Sequence, residues 1–158
     1  MKSRIFLDTN IAIDYLANRI PFGKDAMTIF SLSPHRNQLC ISSLSFTTIF
    51  YVLRKHFEQN QLIDMLDSLQ SLVEVLPVND KIIDEALHSN FNDFEDAVQY
   101  FSAQLGQVDY IITRNPKDFK NTSIPVYTPT EFLAIPFWLE DTNTPVLNEP
   151  EVEYKKQK

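Results

Sequence analysis

The stretch Arg4-Ile5-Phe6-Leu7-Asp8-Thr9-Asn10 decides how the rest of the chain is read. Ile5, Phe6 and Leu7 form a short apolar run, the pattern of a buried strand. Asp8 follows it directly, and Ile11, Ile13, Tyr15 and Leu16 then continue as a helix. An acid at the carboxyl end of a buried strand stands where open α/β sheets bind ligands. On this stretch alone the simpler reading is that Asp8 or Thr9 caps the helix that follows.

Outward from there, strands and helices alternate. The first helix should run from about Asn10 to near Asn18, and Ala26, Ile29 and Phe30 carry a second. Positions 39–42 read as a strand. Ser45 is placed to cap a helix whose apolar residues Phe46, Ile49, Phe50, Leu53 and Phe57 repeat at helical spacing. Asn60 opens another helix, positions 73–76 a third strand, and Asn79 or Asp80 a short helix. Asn92 or Asp93 opens the most regular helix, with Phe94, Ala97, Val98, Phe101 and Leu105 as its buried stripe and Gly106 as its stop. Positions 110–113 and 125–127 read as strands, and Thr128-Pro129-Thr130-Glu131 as a capping box with proline at the first helical turn. This alternation predicts an α/β fold in three layers, with a mainly parallel sheet of four to five strands between helices. Positions 1–139 read as one domain and 140–158 as a polar, flexible tail, with Phe137 and Trp138 as the residues that could dock it.

Composition narrows the chemistry. The chain has 158 residues, two glycines and one cysteine. Gly23 and Gly106 cannot build a P-loop or a G-x-G-x-x-G turn, which disfavours ATP or NAD chemistry of those types. Cys40 alone makes no internal disulfide or cysteine-based zinc cluster, and its apolar neighbours predict a buried, inert thiol. His35, His56 and His88 lie among polar neighbours and read as surface residues. No apolar run suits a signal peptide or membrane span, so a cytoplasmic protein without membrane contact is expected by default. The net charge of −7 argues against avid, non-specific nucleic-acid binding. It is compatible with a divalent-metal enzyme, because a bound cation inverts the local field.

Three acidic features can meet at the carboxyl edge of such a sheet. Asp8 ends the first strand, Asp93, Glu95 and Asp96 crowd the start of the regular helix, and Asn115 and Asp118 follow the fourth strand. Two carboxylates about 4 Å apart repel by on the order of 4 kcal/mol at an effective dielectric near 20, so solvent or a cation must lie between them. Hard oxygen donors without cysteine or paired histidines favour Mg²⁺ or Mn²⁺. The ordinary alternative is helix capping: Asp93 and Asp96 suit a helix N-terminus, and Asn92 with Glu95 suits a capping box.

Phe6-Leu7-Asp8-Thr9-Asn10-Ile11, Phe94-Glu95-Asp96-Ala97 and Ile111-Ile112-Thr113-Arg114-Asn115 with Asp118-Phe119 together resemble the PIN-domain nucleases, a family that includes the VapC-like toxins of toxin–antitoxin modules. The resemblance spans positions 4–133 in order. It implies a metal-dependent endoribonuclease, with Asp8 and Asp96 as metal-site acids, Asn115 where many members carry Asp, and Asp93 assisting. Thr9, Asn10, Thr48, Glu95 and Asp118 would support the site. The family usually has a glutamate where Thr48 stands, a departure shared by some of its branches. Arg114, and Arg54 on the polar side of its helix, are the candidate RNA contacts. An antitoxin and a second copy of the chain are the protein partners implied. Without the usual acids, the rival reading is a non-catalytic PIN scaffold for RNA or a protein. A phosphohydrolase with nucleophilic Asp8 would need a second acid two residues on, where Asn10 stands.

Overall fold

In a computed structural model, residues 1–136 are described. The expected tail at 140–158, the end of the expected domain at 139, and Phe137 and Trp138 lie outside them. The elements run β1 (Ser3–Leu7), α1 (Thr9–Leu16), α2 (Gly23–Phe30), β2 (Asn37–Ser42), α3 (Ser43–Leu53), α4 (Gln59–Leu72), β3 (Glu74–Leu76), α5 (Asp80–Leu87), α6 (Phe94–Leu105), β4 (Tyr110–Ile112), a 3₁₀ turn (Pro116–Phe119), β5 (Val126–Tyr127) and α7 (Pro129–Leu133).

The five strands form one sheet in the order β3-β2-β1-β4-β5, and every pairing is parallel. This is the expected α/β architecture, with five strands. Side chains alternate across β1, so Ile5 and Leu7 enter one core and Phe6 the other. Both faces are covered, which is why the strand is a continuous apolar run. On one side Ile5, Leu7, Leu39 and Ile41 pack with Ile11, Ile49 and Phe132. On the other, Phe6, Cys40 and Ile111 pack with Tyr100 and Ala103 of α6. Cys40 is fully buried, and desolvation pushes its thiol up to about 11.

The chain steps from β1 through β2 to β3 on one side, then returns to place β4 and β5 on the other. The strand order therefore reverses between β1 and β4, and the crevice at their carboxyl ends is where α/β sheets open to ligands. At the opposite edge Arg4 ties the strands together. Its guanidinium donates to both carboxylate oxygens of Glu74 at 2.8 and 2.9 Å and to the Gly106 carbonyl at 2.9 Å.

Several local expectations change. Ser42, not Ser45, caps α3, accepting from the Leu44 amide at 3.3 Å. That helix ends at Leu53, short of Phe57, and α4 is opened by a Glu58–Gln61 capping box rather than Asn60. The stripe of α6 is rotated: Phe94 and Leu105 are each 49% exposed, while Gln99 and Ser102 are buried. Gly106 stops α6 with an ordinary right-handed backbone, and Gln107 takes the left-handed turn at φ 51. The glycine allows close approach: a Cβ there would lie 2.6 Å from Leu76 Cδ1, and Leu76 would have to shift to admit it.

Candidate active site

Asp8 leaves β1 in the N-cap position of α1, yet its side chain makes no capping hydrogen bond. It is 4% exposed, and both oxygens are engaged across the crevice. The Thr113 hydroxyl at the end of β4 donates to Oδ2 at 2.8 Å. The Gln99 amide from α6 donates to Oδ1 at 3.1 Å. Gln99 is oriented by its other end, because its carbonyl oxygen accepts from the Thr9 amide at 3.0 Å and the Thr9 hydroxyl at 3.2 Å. The Thr9 hydroxyl also meets Ser45 Oγ at 2.8 Å and Glu95 Oε1 at 3.3 Å. Three elements are thus stitched together around one carboxylate.

Asp8, Thr9, Asn10, Thr48, Asp93, Glu95, Asp96, Gln99, Asn115 and Asp118 line one cavity of about 240 Å³ at this crevice. Asp93 both caps α6, accepting from the Asp96 amide at 3.1 Å, and borders the cavity. Glu95 does not close a capping box with Asn92. It turns inward, where the Thr48 hydroxyl hydrogen-bonds it and Thr9 Oγ1 can turn its one proton to it instead of to Gln99.

Asp8, Glu95 and Asp96 hold their protons more tightly than free carboxyls. Desolvation is the first cause for Asp8, and the hydrogen bonds from Thr113 and Gln99 offset it only in part. Desolvation also raises Glu95, with the charges of Asp8 and Asp93 adding to it. Asp96 is pushed up to about 7, by desolvation first and then by Asp8, Asp93, Asp118 and Glu95. The charges that act on it are all negative.

Such a donor set suits a hard divalent cation. Among the described residues no three His, Cys, Asp or Glu side chains are already drawn into a cage. Mg²⁺ typically keeps several waters and uses one or two carboxylates, so it asks for no such cage. Asp8 and Asp96 could hold the ion, with a lone pair on each Asp8 oxygen still free of Thr113 and Gln99.

The two arginines point elsewhere. Arg114 Nε lies 3.2 Å from Oδ2 of Asp14, which is 1% exposed, and its guanidinium covers the Phe22 ring at 4.2 Å. Arg54 stacks on Tyr51 at 4.1 Å beyond α3. Neither lines the carboxylate cavity.

A profile of the PIN domain family matches residues 4–117. The chain belongs to the PIN-domain family. No match is found among curated proteins. Among solved structures, a toxin–antitoxin complex from Klebsiella pneumoniae is 26% identical, covering 79% of this chain and 97% of its own, with a TM-score of 0.62. DNA-bound VapBC from Salmonella typhimurium is 19% identical over 82% of this chain and 99% of its own, with a TM-score of 0.62. VapC20 from Mycobacterium tuberculosis, a Sarcin–Ricin loop cleaving toxin, is 14% identical over 68% of this chain and 86% of its own, with a TM-score of 0.57.

Within this PIN domain, the structure gathers Asp8, Asp93, Asp96, Asn115, Thr9, Asn10, Thr48, Glu95 and Asp118 around one cavity. Gln99, Thr113, Ser45 and Asp14 were not read from the sequence as site residues, although Ser45 was read as a helix cap and Thr113 stood in the stretch that carries the resemblance. Gln99 had a signal in hindsight: it lies three residues after Asp96, on the same helical face. His35, His56 and His88 are exposed, and among the described residues no helix is long and apolar enough to cross a membrane.

Proposed function

We propose that this PIN domain is a Mg²⁺- or Mn²⁺-dependent endoribonuclease acting on single-stranded RNA, and the toxin partner of an antitoxin protein. The observation that carries the proposal is the cavity at the β1–β4 switch, where Asp8, Asp93, Glu95, Asp96 and Asp118 converge without a cationic side chain among its lining residues. Asp8 and Asp96 would hold the ion. A divalent cation there supplies an activated water and neutralises charge developing on a phosphodiester. Thr113 and Gln99 fix the plane of the Asp8 carboxylate, so it meets a ligand without rotating. The Asp96 carboxyl, pushed up to about 7, would be ionised by a cation held beside it. Glu95 enters from α6 beside Thr48, so a carboxylate reaches the wall from which the family's usual glutamate is missing. Asn115 and Asp93 complete the rim.

The toxin role is supported by the 26% identical Klebsiella toxin–antitoxin complex, and the nuclease reading by membership of the PIN-domain family. The neutral Thr48 favours a second reading, a PIN scaffold that binds RNA without cutting it. Purified protein with Mn²⁺ and an RNA pool decides between them, beside Asp8→Asn and an EDTA control. Cleavage that both controls abolish supports the nuclease. Absence of cleavage, with no Mn²⁺ uptake by calorimetry, supports the scaffold.

A further inference from the structure

The 3₁₀ turn after β4 borders two cavities, and Asp118 stands in the wall of both. One holds the carboxylates. The other, about 430 Å³, lies between that turn and the connection from α5 to α6. Its size falls within the roughly 300–1,000 Å³ of small-ligand sites. We infer that this second cavity is a base-binding subsite for the nucleotide flanking the cleaved phosphate of a single-stranded RNA. The inference rests on the ribonuclease reading above for its substrate.

Three features of the cavity carry it. Phe91 forms an aromatic wall, half-buried and held by Tyr100 at 5.4 Å, Phe119 at 6.1 Å and Phe101 at 6.2 Å between ring centroids. A ring already fixed by its neighbours loses little freedom when a base packs on it, and every base offers a π-face. Asn90 and Asn92 stand exposed at the rim, and neither side chain makes a hydrogen bond among the described residues. An amide offers both donor and acceptor, the complement of the edge of an unpaired base. Lys117 and Lys120 flank Asp118 and have no ion-pair partner among the described residues. In a chain of net charge −7, two cations without an ion-pair partner among the described residues, beside an acidic cavity, are placed to take backbone phosphates.

Lysines alone would equally suit an acidic peptide. The pinned ring and the unpaired amides favour a base. They also place that base one cavity wall from the carboxylates.

The test measures binding of fluorescent single-stranded oligoribonucleotides to the full chain in EDTA, by anisotropy across a salt series. Lys117→Ala with Lys120→Ala is expected to weaken binding roughly tenfold at low salt and to reduce the salt slope by about 1.4, near 0.7 per phosphate contact. Asn90→Ala with Asn92→Ala is expected to flatten the preference among A, C, G and U oligomers while leaving the salt slope in place. Circular dichroism melts check that these exposed substitutions keep the fold. Unchanged affinity in the lysine variant overturns the subsite. So does displacement of RNA by polyglutamate at equal charge, with the asparagine variant indistinguishable from the parent, which would mark an acidic-peptide surface. The nuclease reading is scored separately, on Mn²⁺-dependent hydrolysis of bis(p-nitrophenyl) phosphate, a diester without bases. A parent that cleaves neither diester nor RNA overturns the nuclease, and the binding series still judges the subsite.

Discussion

Replacing Asp96 with asparagine is expected to stabilise the metal-free protein while destroying its response to metal. The Asp96 carboxyl is pushed up from 3.8 to about 7 in the folded chain, by desolvation first. Between those values the folded chain keeps a proton that the unfolded chain has released. Stability therefore falls as pH rises from about 4 to about 7, and levels off above. At about 1.4 kcal/mol per pH unit the full displacement corresponds to ~4 kcal/mol. Asp96 is partly exposed beside an open cavity, so screening reduces this to roughly 1–2 kcal/mol. Asparagine has nearly the same shape and no charge. Asp96→Asn should then raise Tm by about 3–6 °C at pH 8 in EDTA. The gain should shrink toward zero at pH 4. With saturating Mn²⁺ the order should reverse, because only the parent gains binding free energy. Thermal melts by circular dichroism at pH 4, 6 and 8, with EDTA and with MnCl₂, read all of this. An asparagine variant less stable than the parent at pH 8 in EDTA, or equally stabilised at every pH, would refute the electrostatic argument.

Other substitutions test the scaffold of the site. Gln99→Leu strands the Asp8 oxygen and the Thr9 amide and should cost about 2–4 kcal/mol in urea unfolding; a loss below about 1 kcal/mol would mean that water replaces both bonds. Arg114→Ala leaves the Asp14 carboxylate buried without its nearest cation and should cost about 3 kcal/mol, part of which Asp14→Asn restores. Wild-type unfolding with raised KM for RNA would instead make Arg114 a substrate contact. Glu95→Gln should weaken Mn²⁺ binding in calorimetry and adding Thr48→Glu should recover it, since the two side chains face one another; an affinity that ignores both changes would remove Glu95 from the metal's surroundings.

The sheet was legible because its central strands are buried on both faces. Ile5-Phe6-Leu7 and the apolar run ending in Ile111 and Ile112 leave no polar alternation to misread. The acids were legible because each stands at a strand end or helix start, positions that a parallel sheet brings to one edge. Gln99 was not, because its role depends on how α6 sits against β1, a contact that periodicity does not encode. Small Ala103 packs there with Phe6, Ala97 is buried against Ile82 and Ala86 of α5, and Phe94 and Leu105 are left partly outside. Ser42, Ser43 and Ser45 could each have capped α3; only the contact with Thr9, across 36 positions, explains why Ser45 is inside. Arg114 looked like a phosphate contact because the burial of Asp14, its partner, cannot be seen in a single helical turn.

The two side chains that hold Asp8 come 91 and 105 residues later in the chain. During synthesis, at about 5–20 residues per second, roughly 5–20 s pass between the first residue and its last partner. Until Gln99 and then Thr113 are made, neither side chain that holds the Asp8 carboxylate exists. The residues of β1, β2 and β3 are all made by position 76, so a protein that binds that stretch of chain would meet it before the residues that close the crevice exist.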